Sequence, residues 1–373
     1  MERIPFCAPA ISDQDVQYVA ESVPHCTDER TGDFQHRFER AFAEYIGVRH
    51  AFAVSSRSAA IHVAMASLQL EPGQEVIVPE IAPASTLVPL RYLGVTPTFA
   101  DVDPQSWCLS VDSFKKAITP RTRALLVVDL YGNIPEMHRI RAIAHAHGIS
   151  IVEDASDAIG GEYLGRRAGS LGDVGVFGFD RAETLTSGEG GMVVTACDQI
   201  AAGIQKSLCD AGFDYHISPM QAALGVSQLE RIDELVARKV ENAACYRLAL
   251  GGLSGVTFST SAPGAKCVPN EMTVAFDATS MISADHIADQ LALRDIECRR
   301  MFQPASSLGM YSNLAQARVA RGRNHVSYSL SQRAISLPSG TNLTKTDIDY
   351  VAAALRTIVA QQARFQPKFS KAA

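Results

Sequence analysis

No run of like charge appears in this chain: 34 Lys and Arg and 40 Asp and Glu residues are mixed along it, with a formal net charge of −6. A nucleic-acid partner or a membrane surface would ask for a basic stretch, so neither is expected. No segment offers the roughly 18 uninterrupted apolar residues that a membrane-spanning helix needs. The opening MERIPFCAPAISDQDV also has no basic region leading into an apolar one. These absences predict a cytoplasmic protein. The eight cysteines, Cys7, Cys26, Cys108, Cys197, Cys209, Cys245, Cys267 and Cys298, include no C-x-x-C pair and no metal-ligand spacing. Reduced structural thiols are expected, without a metal or a disulfide framework. Internal repeats and low-complexity segments are lacking too. One last absence is specific: no lysine lies between Lys116 and Lys206.

What is present is an ordinary globular composition, 47% hydrophobic and 20% charged over 373 residues, enough for a sizeable core in one large and one small domain. Short β-branched runs alternate with helical patterns: AFAVS (51–55), EVIVP (75–79), TPTFADV (96–102), RALLVVDL (123–130), ISIVED (149–154), DVGVFGF (173–179) and GMVVT (191–195). That alternation predicts an α/β fold with a mostly parallel seven-stranded sheet buried on both faces. Several runs end in polar residues, Ser55-Ser56, Asp129 and Glu153-Asp154. Ligands of open α/β sheets sit at such carboxyl ends, so a small-molecule site is sought there.

The texture changes after Asp214. Ser218-Pro219-Met220-Gln221 offers a capping box with proline at the first helical position. One long helix is predicted to follow, its apolar face carrying Leu224, Leu229, Ile232, Leu235, Val236 and Val240. It leads from a large domain (residues 1–240) into a smaller α+β domain (241–373). The second domain is expected to hold the strand EMTVAF (271–276), a helix from Ser283 and a last helix opened by Thr344-x-x-Asp347, with the end frayed from about Gln366.

In order along the chain, IPFCAPAIS (4–12), FERAFAEYIGVRHAFAVSS (38–56), VIVPEIAPAST (76–86), TPTFADVDP (96–104), VVDLYGNIPEM (127–137), HGISIVEDASDAIGGEYLGRRAGSLGDVGVFGF (147–179), LTSGEGGMVVT (185–195), GFDYHISPMQAALGVSQLERI (212–232) and ISLPSGTNLTKTDIDYV (335–351) resemble the DegT/DnrJ/StrS sugar aminotransferases. The resemblance covers nearly the whole chain. It implies the fold-type I arrangement of pyridoxal-phosphate (PLP) enzymes, a large domain with a mostly parallel sheet and a smaller carboxy-terminal domain. It also implies a homodimer with active sites shared between chains. In such a site a lysine forms an imine with PLP, a carboxylate holds the ring nitrogen charged, and a helix amino terminus takes the phosphate.

The resemblance places Asp154, in VEDASDA, at the ring-nitrogen carboxylate, though a strand-end acid satisfied by backbone amides reads the same way. The other parts depart. The family's Ser-Ser-Gly-Thr turn is Ser55-Ser56-Arg57-Ser58, with a long side chain where close approach of phosphate relies on glycine. Arg57 is open to three readings: it greets an anion, fills the cofactor space or pairs with an acid. The ring-facing Thr-Phe step aligns with Ala82-Pro83. The polar residue of E-D-A-x-Q is Asp157, the partner-chain asparagine of G-x-N-x-R is Asp214, and its arginine is His216. The serine of F-S-F is Gly178. Asp129 replaces a histidine, and no ligand spacing around it and His216 suggests a metal. Two unit charges about 4 Å apart interact by roughly 4 kcal/mol at an effective dielectric near 20, so a carboxylate facing a phosphate opposes it strongly. Finally, FGFDRAETL (177–185), fixed by the flanking LTSGEGG with Ser187, places Glu183 at the lysine. A carboxylate cannot form an imine.

Decay would leave neutral residues, whereas Glu183, Asp157 and Asp214 join Asp154 with Arg57 and His216 nearby. The expectation is therefore a PLP-independent enzyme, with no cofactor, performing lyase- or isomerase-type acid–base chemistry in natural-product biosynthesis. Glu183, Asp154, Asp157 and His216 would be catalytic, and Arg57, Ser58, Pro83, Asp129, Gly178, Ser187 and Asp214 would bind substrate. Mutual repulsion should raise at least one carboxyl pKa. Two alternatives stand beside it. One is a dehydratase or aminotransferase-like enzyme working from pyridoxamine phosphate (PMP), with PLP or PMP bound and Glu183 in the lysine's place. The other is a catalytically silent partner or sensor subunit. The Thr31-Gly32-Asp33 loop, Arg299 and Arg300 are weaker candidates for substrate contact, and His145 and His147 read as an exposed helix end.

Overall fold

The computed structural model describes residues 3–24, 32–209, 212–278 and 283–365. Cys26, Thr31 and the terminus from Gln366 therefore lie outside the described residues. In chain order the strands are β1 (His50–Val54), β2 (Glu75–Pro79), β3 (Thr96–Ala100), β4 (Thr122–Val128), β5 (Ser150–Asp154), β6 (Glu162–Tyr163), β7 (Arg166–Arg167), β8 (Val174–Gly178), β9 (Gly191–Thr195), β10 (Val256–Phe258), β11 (Ala265–Lys266), β12 (Met272–Phe276), β13 (Arg299–Arg300) and β14 (Ala334–Leu337). All seven predicted runs enter one sheet, ordered β1-β9-β8-β5-β4-β2-β3. β3, β2, β4, β5 and β8 are parallel, and β9 runs antiparallel between β8 and β1.

Alternation along each central strand feeds two cores. In β4, Leu125 and Val127 enter one cluster, while Ala124, Leu126 and Val128 enter the other. In β5, Ile151 follows the first pattern and Val152 the second. By the same period of two, Glu153 is directed to the first face and Asp154 to the second. The helix Arg57–Ser67 lies on that second face, burying Ala59, Ala60, Ile61, Val63 and Ala64 in the same cluster. The carboxyl end of β5 and the amino end of this helix thus meet, and this fixes the site.

The capping box at Ser218 and Gln221 forms as predicted. The helix after it is not continuous, however: it is two helices, Pro219–Glu230 and Ile232–Leu250, broken at Arg231 with φ −108° and ψ 13°. Arg231 Nη1 lies 3.2 Å from Asp15 Oδ2, an acid that is 1% exposed and also accepts from Ser227 and Gln228. The buried face of the second helix is Ile232, Leu235, Lys239, Asn242, Ala243, Tyr246 and Leu250, whereas Val240, assigned to that face, is 45% exposed. Lys239 takes the place: its Nζ donates to the carbonyls of Asn270 (2.8 Å) and Ser339 (2.7 Å).

Beyond this helix a four-stranded antiparallel sheet, β10-β12-β14-β13, packs with the helices Ala284–Ala292 and Lys345–Phe365 around Val274, Phe276, Ile335, Leu355 and Ile358. The Ser283 and Thr344 starts are as expected, the latter with Thr344 and Asp347 bonded reciprocally. Ile4, from the start of the chain, joins this core. Among the described residues no helix is long and apolar enough to cross a membrane.

Candidate functional site

Asp154 ends β5, wholly buried. Its Oδ2 accepts from Thr86 Oγ1 at 2.7 Å and its Oδ1 from Ser156 Oγ at 2.6 Å, so both its position and its rotamer are held. Thr86 stands on the short turn Ala84–Leu87 that Pro83 opens. Into the remaining edge of Asp154 comes Arg57, the first residue of its helix, whose start is capped by Ser56 Oγ accepting from Ala59 N. Arg57 Nε lies 3.1 Å from Asp154 Oδ2, and Nη2 lies 3.1 Å from Oδ1. Its Nη1 reaches Glu183 Oε1 at 3.3 Å, and Nη2 is 3.6 Å from Asp157 Oδ1. One guanidinium therefore faces three carboxyls from three segments, with side-chain exposures of 10% for Arg57, 0% for Asp154, 8% for Asp157 and 4% for Glu183.

Glu183 has a second partner, since its Oε2 accepts from Asn270 Nδ2 at 3.1 Å, while Asn270 Oδ1 accepts from Thr184 Oγ1. Asp157 Oδ2 accepts from the Tyr131 amide at 2.9 Å. Burial, followed by the charge of Asp157, pushes the Glu183 carboxyl well above the usual range, and the nearby Arg57 offsets only part of this. Asp157 is also raised, by burial first, with Arg57 opposing. Burial works against the charge on Arg57, but Asp154, Asp157 and Glu183 outweigh it and hold the guanidinium more firmly protonated than usual. The expected rise in a carboxyl pKa is present, and burial favours the protonated form of Glu183.

The remaining predicted residues are placed as follows. Gly178 ends β8 against Arg57, and its amide donates to Ser156 Oγ. Ser58 donates to the Ser85 carbonyl beside the cluster. Ser187 is buried with its hydroxyl bonded to the Glu189 carbonyl, a loop-shaping contact. Asp129 is buried behind the site near Glu153, whose oxygens accept the Gly169, Leu171 and Gly172 amides; neither side-chain oxygen of Asp129 meets a hydrogen-bond partner among the described residues. Burial and the Glu153 charge hold Asp129 well above the carboxylate range, so it is a structural acid and not a crevice group. Asp214 and His216 are exposed. Their segment lies beside β1, with Ser55 N donating to Tyr215 O, but neither side chain enters the Arg57 cluster. Gly32 precedes the helix Asp33–Ile46. Arg299 pairs with Glu271 and Arg300 with Asp285, and His145 and His147 are exposed at a helix end. Sequence reasoning missed Thr86, Ser156 and Asn270. The first two sit inside the quoted segments APAST and EDASDA; Asn270, in CVPNEM, carried no signal.

Glu271, the neighbour of Asn270, is 7% exposed and accepts from Arg299. Burial, only partly offset by Arg299, raises its pKa to about 7. Its unfolded form ionises near pH 4.5, so as pH rises through that window the folded chain binds the extra proton and stability falls. Glu271→Gln is expected to gain up to roughly 3 kcal/mol over the parent between about pH 4.5 and 7 and nothing further above it. Parallel stability-versus-pH curves for the two proteins would remove Glu271 as the titrating group.

A profile described as the DegT/DnrJ/EryC1/StrS aminotransferase family matches residues 9–356. The chain belongs to this family. Over 372 residues it is 32% identical to GDP-perosamine synthase of Caulobacter vibrioides, covering 96% of this chain and 99% of that one. It is 28% identical over 364 residues to the putative pyridoxal phosphate-dependent aminotransferase EpsN of Bacillus subtilis, covering 93% of each. Its fold matches a structure of DesI solved in the presence of its TDP-sugar product, with TM-score 0.88 and 30% identity over 98% of this chain and 96% of the other.

These likenesses overturn the expectation of a cofactor-free, PLP-independent lyase or isomerase. The matching family is described as aminotransferases, and the full-length relatives carry the names GDP-perosamine synthase and putative pyridoxal phosphate-dependent aminotransferase. The physical reason lies in the cluster. The acids taken for an open acid–base constellation are closed around Arg57, Asp129 is turned to Glu153, and Asp214 and His216 lie outside.

The site residues can be tested against the family's cofactor. Asp154 is buried, in contact with the Arg57 guanidinium and oriented by two hydroxyls, as suits a ring-nitrogen partner. The amino end of the eleven-residue helix Arg57–Ser67, with Ser58, suits a phosphate. No lysine stands at Glu183, and the Nζ of Lys239 is spent on two carbonyls. Once Arg57 is withdrawn from Asp154, the residues fit a pyridine cofactor held without a covalent bond, and not one tied as an imine.

Proposed function

We propose that this chain acts on a nucleotide-linked keto sugar, with the family's cofactor bound non-covalently in its amine form, PMP. The observation that carries this reading is Asp154, kept buried and aligned by Thr86 and Ser156 at the end of β5. The substrate class is supported by relatives whose names carry GDP- and TDP-linked sugars. When bound, the cofactor supplies an amino group and an electron sink. Asp154 holds the ring nitrogen charged, and the helix amino end at Ser58 takes the phosphate. Glu183, whose protonated form burial favours, gives up a proton from its carboxyl, and the resulting anion is held at Oε1 by Arg57 and at Oε2 by Asn270.

Two copies share their sites in this proposal. The exposed Asp214 and His216, on a segment anchored beside β1, are then offered to the neighbouring chain. Light scattering on the purified protein reads the assembly, and a monomer rejects this part. A cytoplasmic location belongs to the same reading. The function is tested by titrating the protein with PMP under absorbance and then supplying a nucleotide-linked 4-keto sugar with mass detection of the product. Binding followed by consumption of the sugar is expected; no binding at millimolar PMP overturns it.

A further inference from the structure

The carboxylate that should greet a ligand's ring nitrogen is already taken. Arg57 meets Asp154 through two nitrogens, each at 3.1 Å, and extends Nη1 to Glu183 at 3.3 Å. A second, independent observation concerns the stem of that side chain. A Cβ placed on Gly178 would lie 2.9 Å from Arg57 Cβ and 3.2 Å from both its Cγ and Cδ. The Cβ of Arg57 is fixed by its helix and cannot yield as the tip of a flexible side chain can. A larger residue at 178 therefore forces the start of the Arg57 helix to shift and presses on the stem, and glycine there is the notch that admits it.

We infer that Arg57 and Gly178 are a matched pair that seats a guanidinium in the ring-nitrogen place of the crevice, so that a cationic pyridine ligand binds only by displacing Arg57 from Asp154. The inference rests on the proposed role of Asp154. The pair sets a threshold: a ligand needs both a protonated ring nitrogen to replace the guanidinium and a second hold elsewhere. A neutral ring offers Asp154 nothing to compensate the lost ion pair.

The probe is PMP, whose amine cannot form an imine with surface lysines, and the readout is calorimetric affinity. Arg57→Gly is expected to bind PMP at least tenfold more tightly than the unaltered protein. Gly178→Ala, by pressing on the stem and loosening its hold on Asp154, should tighten binding in the parent and change it little in the Arg57→Gly background. Gly178→Ala should likewise lower the melting temperature in the parent more than in that background. If Arg57→Gly does not fold, as judged by circular dichroism, Arg57→Gly/Asp157→Asn removes one unpaired carboxylate and takes its place. Equal or weaker binding by the arginine-free protein overturns the pair. PMP binding only after removal of Arg57 upholds the pair and rejects the proposed function. Binding by the parent with no gain on removal does the reverse.

Discussion

Replacing Arg57 by glycine is expected to destabilise the free protein by about 3–5 kcal/mol at pH 8, the cost of leaving a buried charge without its partner. The guanidinium is the cation that Asp154, Asp157 and Glu183 share, and Lys239 cannot replace it because its hydrogen bonds go to the carbonyls of Asn270 and Ser339. The deficit should shrink at acid pH, as the raised carboxyls of Asp157 and Glu183 protonate and the unpaired charge falls. Because burial raises the Glu183 carboxyl further than that of Asp157, Glu183→Gln should rescue less of the loss than Asp157→Asn. Urea unfolding of the single and double variants at pH 8 and at acid pH separates these terms. A loss that is the same at both would mean that packing of the stem, and not charge, is what Arg57 contributes.

The fold was legible because each central strand is buried on both faces and so reads as a short apolar run, and all seven runs found their places in the sheet. Asp154, Asp157, Glu183 and Arg57 were legible as a group because strand ends and a fixed family order brought them together. What they do was not legible. A guanidinium can greet a ligand or lie on a neighbouring acid, and only the side-chain path over Gly178 decides between them. Gly178 itself read as a lost serine and a substrate contact, when its effect is to make room. Lys239 and Val240 differ by one position, about 100° on a helix, and hydrophobicity chose the wrong one because the two buried carbonyls that recruit the ammonium come from residues 270 and 339. The break at Arg231 arises likewise beside a distant acid, Asp15. Asn270 supports Glu183 from a loop far along the chain, which no local pattern announces.

Glu183→Gln carries the largest functional effect. Glutamine keeps the shape and accepts from Arg57 or from Asn270 but not from both, and it has no carboxyl proton to give, so a loss of about 10²–10⁴ in kcat is expected with PMP affinity within a few-fold of the parent. The two readouts separate roles. If Glu183 only shaped the pocket, Gln would preserve kcat; if it only opposed ligand binding, affinity would rise and kcat would not fall. The pH profile adds a third arm. A carboxyl raised by burial and by Asp157 is active in its protonated form until the pH climbs through its elevated pKa, so the parent should lose kcat on the alkaline side. The glutamine variant should lack that limb. Removing Arg57, which opposes the rise, should move the limb to still higher pH, because the guanidinium that stabilises the Glu183 anion is then gone.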